Sequence, residues 1–208
     1  MTQLYLISPE KIELEIFKPK LEEALADGHV SVFQLRQKNL PENEIIESAK
    51  ALMPICHKHN VQFILNDNAR IAAKVGADGV HVGEEKDGTY DEARKLLGNK
   101  VVGVSCYGSI ERAIDFAEKG ADYVAFGAFY PTTTKTPKAR PEPEILEWWV
   151  RNSVVPCVAI GGITAENSTP IVKSGADFIA VVSFVWGHPK GVKTAIKELA
   201  ESINNLDQ

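Results

Sequence analysis

Apolar residues in this chain fall into eight short runs, separated by longer stretches in which they recur every three or four positions. The runs are Leu4 to Ile7, Val30 to Leu35, Gln62 to Leu65, Gly79 to Val82, Val101 to Val104, Tyr123 to Phe126, Cys157 to Ile160 and Phe178 to Val182. Short continuous apolar runs suit strands buried on both faces, as in a parallel sheet. Between them, Ile110, Ala113, Ile114 and Ala117, or Val192, Ile196, Leu199 and Ile203, each gather on one helical face. Eight alternating strand and helix units in 208 residues predict a single α/β domain over 1–208, a (β/α)8 TIM barrel with parallel strands. An open doubly wound sheet is the alternative. It calls for a glycine-rich turn after the first strand, and Ser8-Pro9-Glu10 offers none.

A repeated pattern fixes the phase of this alternation. VGADGVHVG (75–83), KGADYVAFG (119–127) and SGADFIAVV (174–182) each read as a helix end followed by a strand start, and Asp27-Gly28-His29-Val30 is a weaker fourth copy. Gly76, Gly120 and Gly175 suit the left-handed position just past a helix, and Asp78, Asp122 and Asp177 suit the turn. Pro54 interrupts the second helical stretch and predicts a kink or an early stop there. Pro141-Glu142-Pro143-Glu144 reads as a helix start, with proline in the first turn and glutamates complementing the dipole.

Composition narrows the function classes. With 44% hydrophobic and 25% charged residues the chain is globular, and a net charge of -5 argues against a nucleic-acid or anionic-membrane binder. Cys56, Cys106 and Cys157 form no C-x-x-C pair and sit in apolar contexts, so they read as reduced packing residues. The longest apolar segment, Phe178 to Trp186, is too short to cross a bilayer, and a cytoplasmic location is expected. His29, His57, His59 and His188 show no ligand spacing, and His81 reads as structural. The adjacent Trp148 and Trp149 read as packing residues; pointing about 100° apart on a helix, they leave room for one on the barrel and the other on a neighbouring segment or subunit.

In barrels of this class the chemistry lies at the C-terminal ends of the strands. Reading the residues there assembles a polar crown: Gln34, Arg36 and Lys38, then Asn66 and Asp67, then Glu84, Glu85 and Asp87, then Ser105, then Gly161, Gly162 and Ser183. After the sixth strand comes GAFYPTTTKTPKAR (127–140), which crowds Thr132, Thr133, Thr134, Lys135, Thr136, Lys138 and Arg140 into one loop. Hydroxyls, ammonium groups and a guanidinium at that density suit phosphate. The loop 131–140 is long and lacks an apolar anchor, so it is also a candidate lid. Gly161-Gly162 and Val182-Ser183 stand where barrels of this kind place a phosphate against backbone amides.

FQLRQK, LND, DGVHVG, GVS, YPTTTK, AIGGIT and GADFIAVVS occur in order over nearly the whole length, and in this the chain resembles the thiamine phosphate synthase family. The resemblance implies a transferase that joins 4-amino-5-hydroxymethyl-2-methylpyrimidine diphosphate to 4-methyl-5-(2-phosphooxyethyl)thiazole, with Mg²⁺ as cofactor. It puts Gln34, Arg36, Lys38, Asn66, Ser105 and Lys135 around the pyrimidine diphosphate, with Lys135, Ser105 and Arg36 as the catalytic set. It puts Thr132, Thr134, Gly162, Val182 and Ser183 around the thiazole phosphate, and assigns Asp67 to the metal. The reaction it implies is dissociative and needs no enzymatic nucleophile. That agrees with a sequence in which no Ser/His/Asp or Cys/His arrangement stands out. A homodimer is also implied.

One stretch departs from the family pattern. Where relatives carry a second metal-binding aspartate after strand four, the ungapped alignment places Lys86, which has no acceptor for Mg²⁺. One inserted residue brings Asp87 into register, and Glu85 is the other carboxylate within reach. In the remaining version the metal site is weakened and Lys86 neutralises the diphosphate itself. Two other functions stay open here: a thiazole tautomerase on the same barrel and a precursor-binding barrel without catalysis. Tyr107, standing where relatives with tautomerase activity often carry histidine, and the TTTK loop both argue against the first.

Overall fold

The computed structural model describes residues 2–83, 89–132, 134 and 136–204. Its strands are β1 (Gln3–Ile7), β2 (Val30–Leu35), β3 (Gln62–Asn66), β4 (Gly79–Val82), β5 (Val101–Tyr107), β6 (Tyr123–Gly127), β7 (Cys157–Ile160) and β8 (Phe178–Val181). All are parallel and close in sequence order, with β1 pairing both β2 and β8. The helices are α1 (Leu14–Leu25), α2 (Glu42–Lys58), α3 (Ala69–Val75), α4 (Tyr90–Leu97), α5 (Ile110–Glu118), α6 (Glu144–Asn152), α7 (Thr169–Lys173), α8 (Ser183–Trp186) and α9 (Val192–Asn204).

Strand alternation divides the apolar residues between two cores. Leu4, Leu6, Phe33, Leu65, Val80, Val102, Val104 and Phe126 point outward and are covered by the helices. Tyr5, Ile7, Val32, Ile64, Tyr123, Ala125, Val158 and Ala180 point into the barrel. The three cysteines are buried and unpaired, and burial pushes the Cys106 and Cys157 thiols up to about 12, so they stay protonated. Trp149 is buried on the barrel, edge-on to Phe126, and donates its indole N–H to Val155 O, while Trp148 is exposed.

The repeated Gly-Ala-Asp does more than turn the chain. Gly76, Gly120 and Gly175 have φ of 78°, 89° and 84°, as the helix-to-strand turn requires. Each aspartate then accepts a backbone N–H from the strand before its own. Phe63 donates to Asp78 at 2.7 Å, Val102 to Asp122 at 2.7 Å and Cys157 to Asp177 at 2.8 Å. Three identical clamps thus tie β3 to β4, β5 to β6 and β7 to β8 at the base of the barrel. The weaker fourth copy does not repeat this contact: Asp27 pairs with Lys193 at 3.3 Å.

Pro54 does not stop α2, which runs unbroken to Lys58. The proline is exposed while Leu52 and Cys56 are buried, so the carbonyl that loses its helical donor lies on the solvent side. The loop after β6 is held at its two ends. Phe129 and Tyr130 pack on the outer core, Tyr130 Oη donates to Asn167 O at 2.7 Å, and Ala128 N donates to Ala139 O at 3.0 Å, closing the loop at its neck. Close approach to β7 requires glycines there: a Cβ on Gly161 would lie 2.2 Å from Ala128 Cβ, and one on Gly162, at φ +66°, 2.4 Å from Pro131 O.

Two outcomes follow for stability. Asp78→Ala is expected to lower the unfolding free energy by about 1–3 kcal/mol, because the Phe63 N–H loses its acceptor; Asp78→Asn, which keeps an oxygen there, should lose less in the same urea titration. Gly162→Ala is expected to cost roughly 1–3 kcal/mol through its left-handed backbone, read as a lowered thermal midpoint, and a wild-type midpoint would contradict the close packing of loop on strand.

Candidate active site

One cavity opens at the C-terminal ends of the strands, and every described residue assigned by resemblance lines it: Gln34, Arg36, Lys38, Asn66, Asp67, Ser105, Thr132, Thr134, Gly162, Val182 and Ser183. Lys135, Asp87, Glu84, Glu85, Lys86 and Thr133 lie outside the described residues. Strand alternation explains the convergence. Gln34 and Ser105 occupy the inward parity of their strands, two residues beyond Val32 and Gly103, and so point into the mouth of the barrel.

The cationic side is held by carboxylates. Lys38 Nζ lies 2.9 Å from Asp67 Oδ2, which also accepts from Asn66 Nδ2 at 2.6 Å. Arg36 Nη1 lies 3.3 Å from Glu10 Oε2, and its backbone N–H donates to Ser8 Oγ at 2.9 Å. Asp67 sits at φ 64°, a left-handed conformation that aspartate tolerates, with its N–H donating to His81 O at 2.7 Å. Its other oxygen, Oδ1, faces Gly83: a Cβ there would stand 3.4 Å away. Among the described residues no three His, Cys, Asp or Glu gather as a metal cluster.

The loops after β6, β7 and β8 supply further lining: Thr132 and Thr134 come from the loop after β6, with Thr134 N donating to Thr132 Oγ1 at 3.3 Å. Gly162 follows β7, and Ser183 opens the short α8 after β8. Lys138 is exposed, 4.9 Å from the centre of the Tyr107 ring, whose hydroxyl donates to Gly83 O at 3.2 Å. Arg112 stacks near the same ring and donates to Ser105 O at 2.9 Å, fixing the β5 end from behind.

The floor of the cavity joins Gln34 and Ser105 through Tyr5, Tyr123 and His81, which do not stand out in the sequence as site residues. Gln34 Nε2 donates to Tyr5 Oη at 2.8 Å, Tyr5 Oη meets Tyr123 Oη at 2.8 Å, Tyr123 Oη meets His81 Nδ1 at 2.9 Å, and His81 Nε2 meets Ser105 Oγ at 2.8 Å. His81, expected to be structural, therefore lines the cavity with both ring nitrogens engaged. The inward parity of Tyr5, His81 and Tyr123 was the available signal. A serine and a histidine do meet, which the sequence did not suggest. The third partner, however, is a phenol. Burial raises Tyr5 and Tyr123 well above the ordinary tyrosine pKa, so neither supplies the negative charge that would stabilise an imidazolium behind a serine nucleophile. The arrangement suits binding and electrostatic stabilisation of a phosphorylated ligand.

Of the other histidines, His57, His59 and His188 pair with Asp78, Glu22 and Glu198 away from this cavity. No helix among the described residues is long and apolar enough to cross a membrane.

Comparison with known proteins agrees with this layout. The family model described as thiamine monophosphate synthase matches residues 4–185. A thiamine-phosphate synthase from Rhodospirillum centenum is 49% identical over 94% of this chain and 95% of its own. One from Erythrobacter litoralis is 44% identical over 97% and 95%. Among solved structures, a thiamine phosphate pyrophosphorylase from Pyrococcus furiosus superposes with a TM-score of 0.85 at 33% identity, covering 98% of this chain and 96% of that one. A 3-hexulose-6-phosphate synthase, at 20% identity and a TM-score of 0.68 over 97% of this chain and all of its own, shares the fold alone. With a barrel, a cavity and a matched sequence in agreement, the chain belongs to the thiamine monophosphate synthase family.

Proposed function

We propose that this protein condenses 4-amino-5-hydroxymethyl-2-methylpyrimidine diphosphate with 4-methyl-5-(2-phosphooxyethyl)thiazole, giving thiamine phosphate and pyrophosphate. The observation that carries the reading is the gathering of both phosphate-binding sets around one cavity. Arg36 and Lys38 follow β2, and Thr132, Thr134, Gly162 and Ser183 follow β6, β7 and β8.

In this reading the C–O bond to the diphosphate breaks first, and its electron pair leaves with pyrophosphate. The cation left on the pyrimidine methylene is captured by the thiazole nitrogen lone pair. Arg36 and Lys38 offset the negative charge that grows on the leaving group, aided by Lys135 from the loop after β6. Hydroxyls of Thr132 and Thr134 and backbone amides at Gly162 and Ser183 hold the thiazole phosphate. The aromatic and aliphatic floor excludes water that would otherwise trap the cation. Catalysis then rests on positioning and electrostatics.

Asp67 fits a hard divalent cation: it offers a carboxylate oxygen at the cationic end of the cavity, and Mg²⁺ accepts one or two protein carboxylates alongside water and phosphate oxygens. Asp87 is the second carboxylate of this proposal. When bound, Mg²⁺ would neutralise charge on the diphosphate and its leaving group. A homodimer belongs to the same reading by resemblance, and a cytoplasmic setting by the shortness of the apolar segments in the sequence.

The test is pyrophosphate release by the purified protein across a Mg²⁺ titration with a chelated control. Release is expected only with both substrates and metal present. Release without the thiazole phosphate would sink the proposal, and turnover of a thiazole tautomer without the pyrimidine would favour the isomerase reading instead. Arg36→Ala is expected to lower kcat/KM on the order of 10²- to 10³-fold, the range for losing one preorganised electrostatic contact. Asp87→Ala separates the two metal readings: loss of the metal-dependent release supports Asp87 as ligand, and normal release moves that role elsewhere.

A further inference from the structure

The hydrogen-bond string across the floor has a direction. Gln34 Nε2 is a donor only, so Tyr5 Oη accepts from it at 2.8 Å. Tyr5 is buried and must place its own hydroxyl hydrogen, and the acceptor in reach is Tyr123 Oη at 2.8 Å. Tyr123 in turn donates to His81 Nδ1 at 2.9 Å, which makes His81 the Nε2–H tautomer and a donor to Ser105 Oγ at 2.8 Å. The Ser105 hydrogen then remains for the cavity, as does the Gln34 carbonyl oxygen. Reversing the Tyr5–Tyr123 or the Tyr123–His81 bond alone leaves a buried hydroxyl hydrogen without an acceptor, and reversing the His81–Ser105 bond alone leaves the imidazole without its proton, unless the Gln34 amide turns over and the whole string reverses with it.

We propose that Tyr5, Tyr123 and His81 are positioning residues that lock the two cavity-facing ends of this string into opposite characters, Gln34 accepting and Ser105 donating. A ligand lying between them must then offer a donor to Gln34 and an acceptor to Ser105. This rests on the proposed function, for an aminopyrimidine carries that pair as its exocyclic amine and a ring nitrogen. The corresponding 4-oxo compound reverses it, presenting a carbonyl oxygen and a ring N–H. Selection between them is set by groups that touch neither end of the ligand directly, one of them 118 residues from its partner in sequence.

The two phenols remain in their neutral form because burial disfavours the phenolate, so each has a single hydrogen to place. The string is also rigidly seated. Tyr5 and Tyr123 pack edge to face at 5.9 Å between ring centres, and the His81 ring stacks on Tyr123 at 5.6 Å.

The experiment compares equilibrium binding of 4-amino-5-hydroxymethyl-2-methylpyrimidine and its 4-oxo counterpart to the wild type, Tyr123→Phe and Tyr5→Phe, with the His81 tautomer read by ¹⁵N spectroscopy. The wild type is expected to favour the amino compound on the order of 10- to 100-fold, the scale set by leaving buried polar groups mispaired. Both variants, which keep the ring volume, should lose most of that preference, and Tyr123→Phe should release His81 from the single Nε2–H tautomer. Unchanged preference in either folded variant, or a wild-type His81 protonated at Nδ1 instead, would overturn the directional string. No binding of the amino compound by the wild type would instead count against the proposed function, so the two failures are distinguishable.

Discussion

Gly103 has no side chain, and the ring of Tyr123 fills the space that one would occupy. A Cβ on Gly103 would stand 1.9 Å from Tyr123 Cζ, so the tyrosine reaches the centre of the barrel only because β5 leaves that space. From there its hydroxyl meets Tyr5 from β1 and His81 from β4, and through them Gln34 and Ser105. An eight-stranded barrel is just wide enough for its own side chains, so what fills the upper interior becomes the floor of the site. Here the polar part of that filling is mutually satisfied, and a cavity can rest on it without an orphaned group beneath.

Charge is arranged around that floor by similar economy of contact. The cations that would meet an anionic ligand are already held: Lys38 by Asp67, Arg36 by Glu10. Such pairs keep long side chains oriented toward the cavity before a ligand arrives, which lowers the ordering cost of binding. The loops after β6 and β7 use hydroxyls and glycine-flanked backbone, whose positions are set by the packing of the loop after β6 on β7.

Much of this was legible in the sequence because two of its rules are local. Strand runs and the Gly-Ala-Asp repeat gave the barrel and its order, and residues trailing each run gave the crown. The floor was harder to read. Tyr5, His81 and Tyr123 look like core positions, and whether an inward aromatic is packing or polar architecture depends on partners far away in sequence. Whether Pro54 would stop α2 was hard to read for a related reason: its cost depends on which side of α2 faces water. The anchoring of the Thr/Lys loop by Phe129, Tyr130 and Asn167 likewise depends on a neighbour after β7 that adjacency in sequence cannot supply.

The aspartate clamps also separate the two ends of the molecule in the order they can form. Each joins groups 15 to 20 residues apart, whereas the bond between Tyr5 and Tyr123 joins groups 118 apart. Closing the longer loop costs about 1.6 kcal/mol more in chain entropy by logarithmic scaling. A chain still incomplete can tie β3 to β4, then β5 to β6, one pair at a time. The floor of the site must wait until β6 has come round to β1, so the base is assembled piecewise and the reacting end exists only in the closed ring.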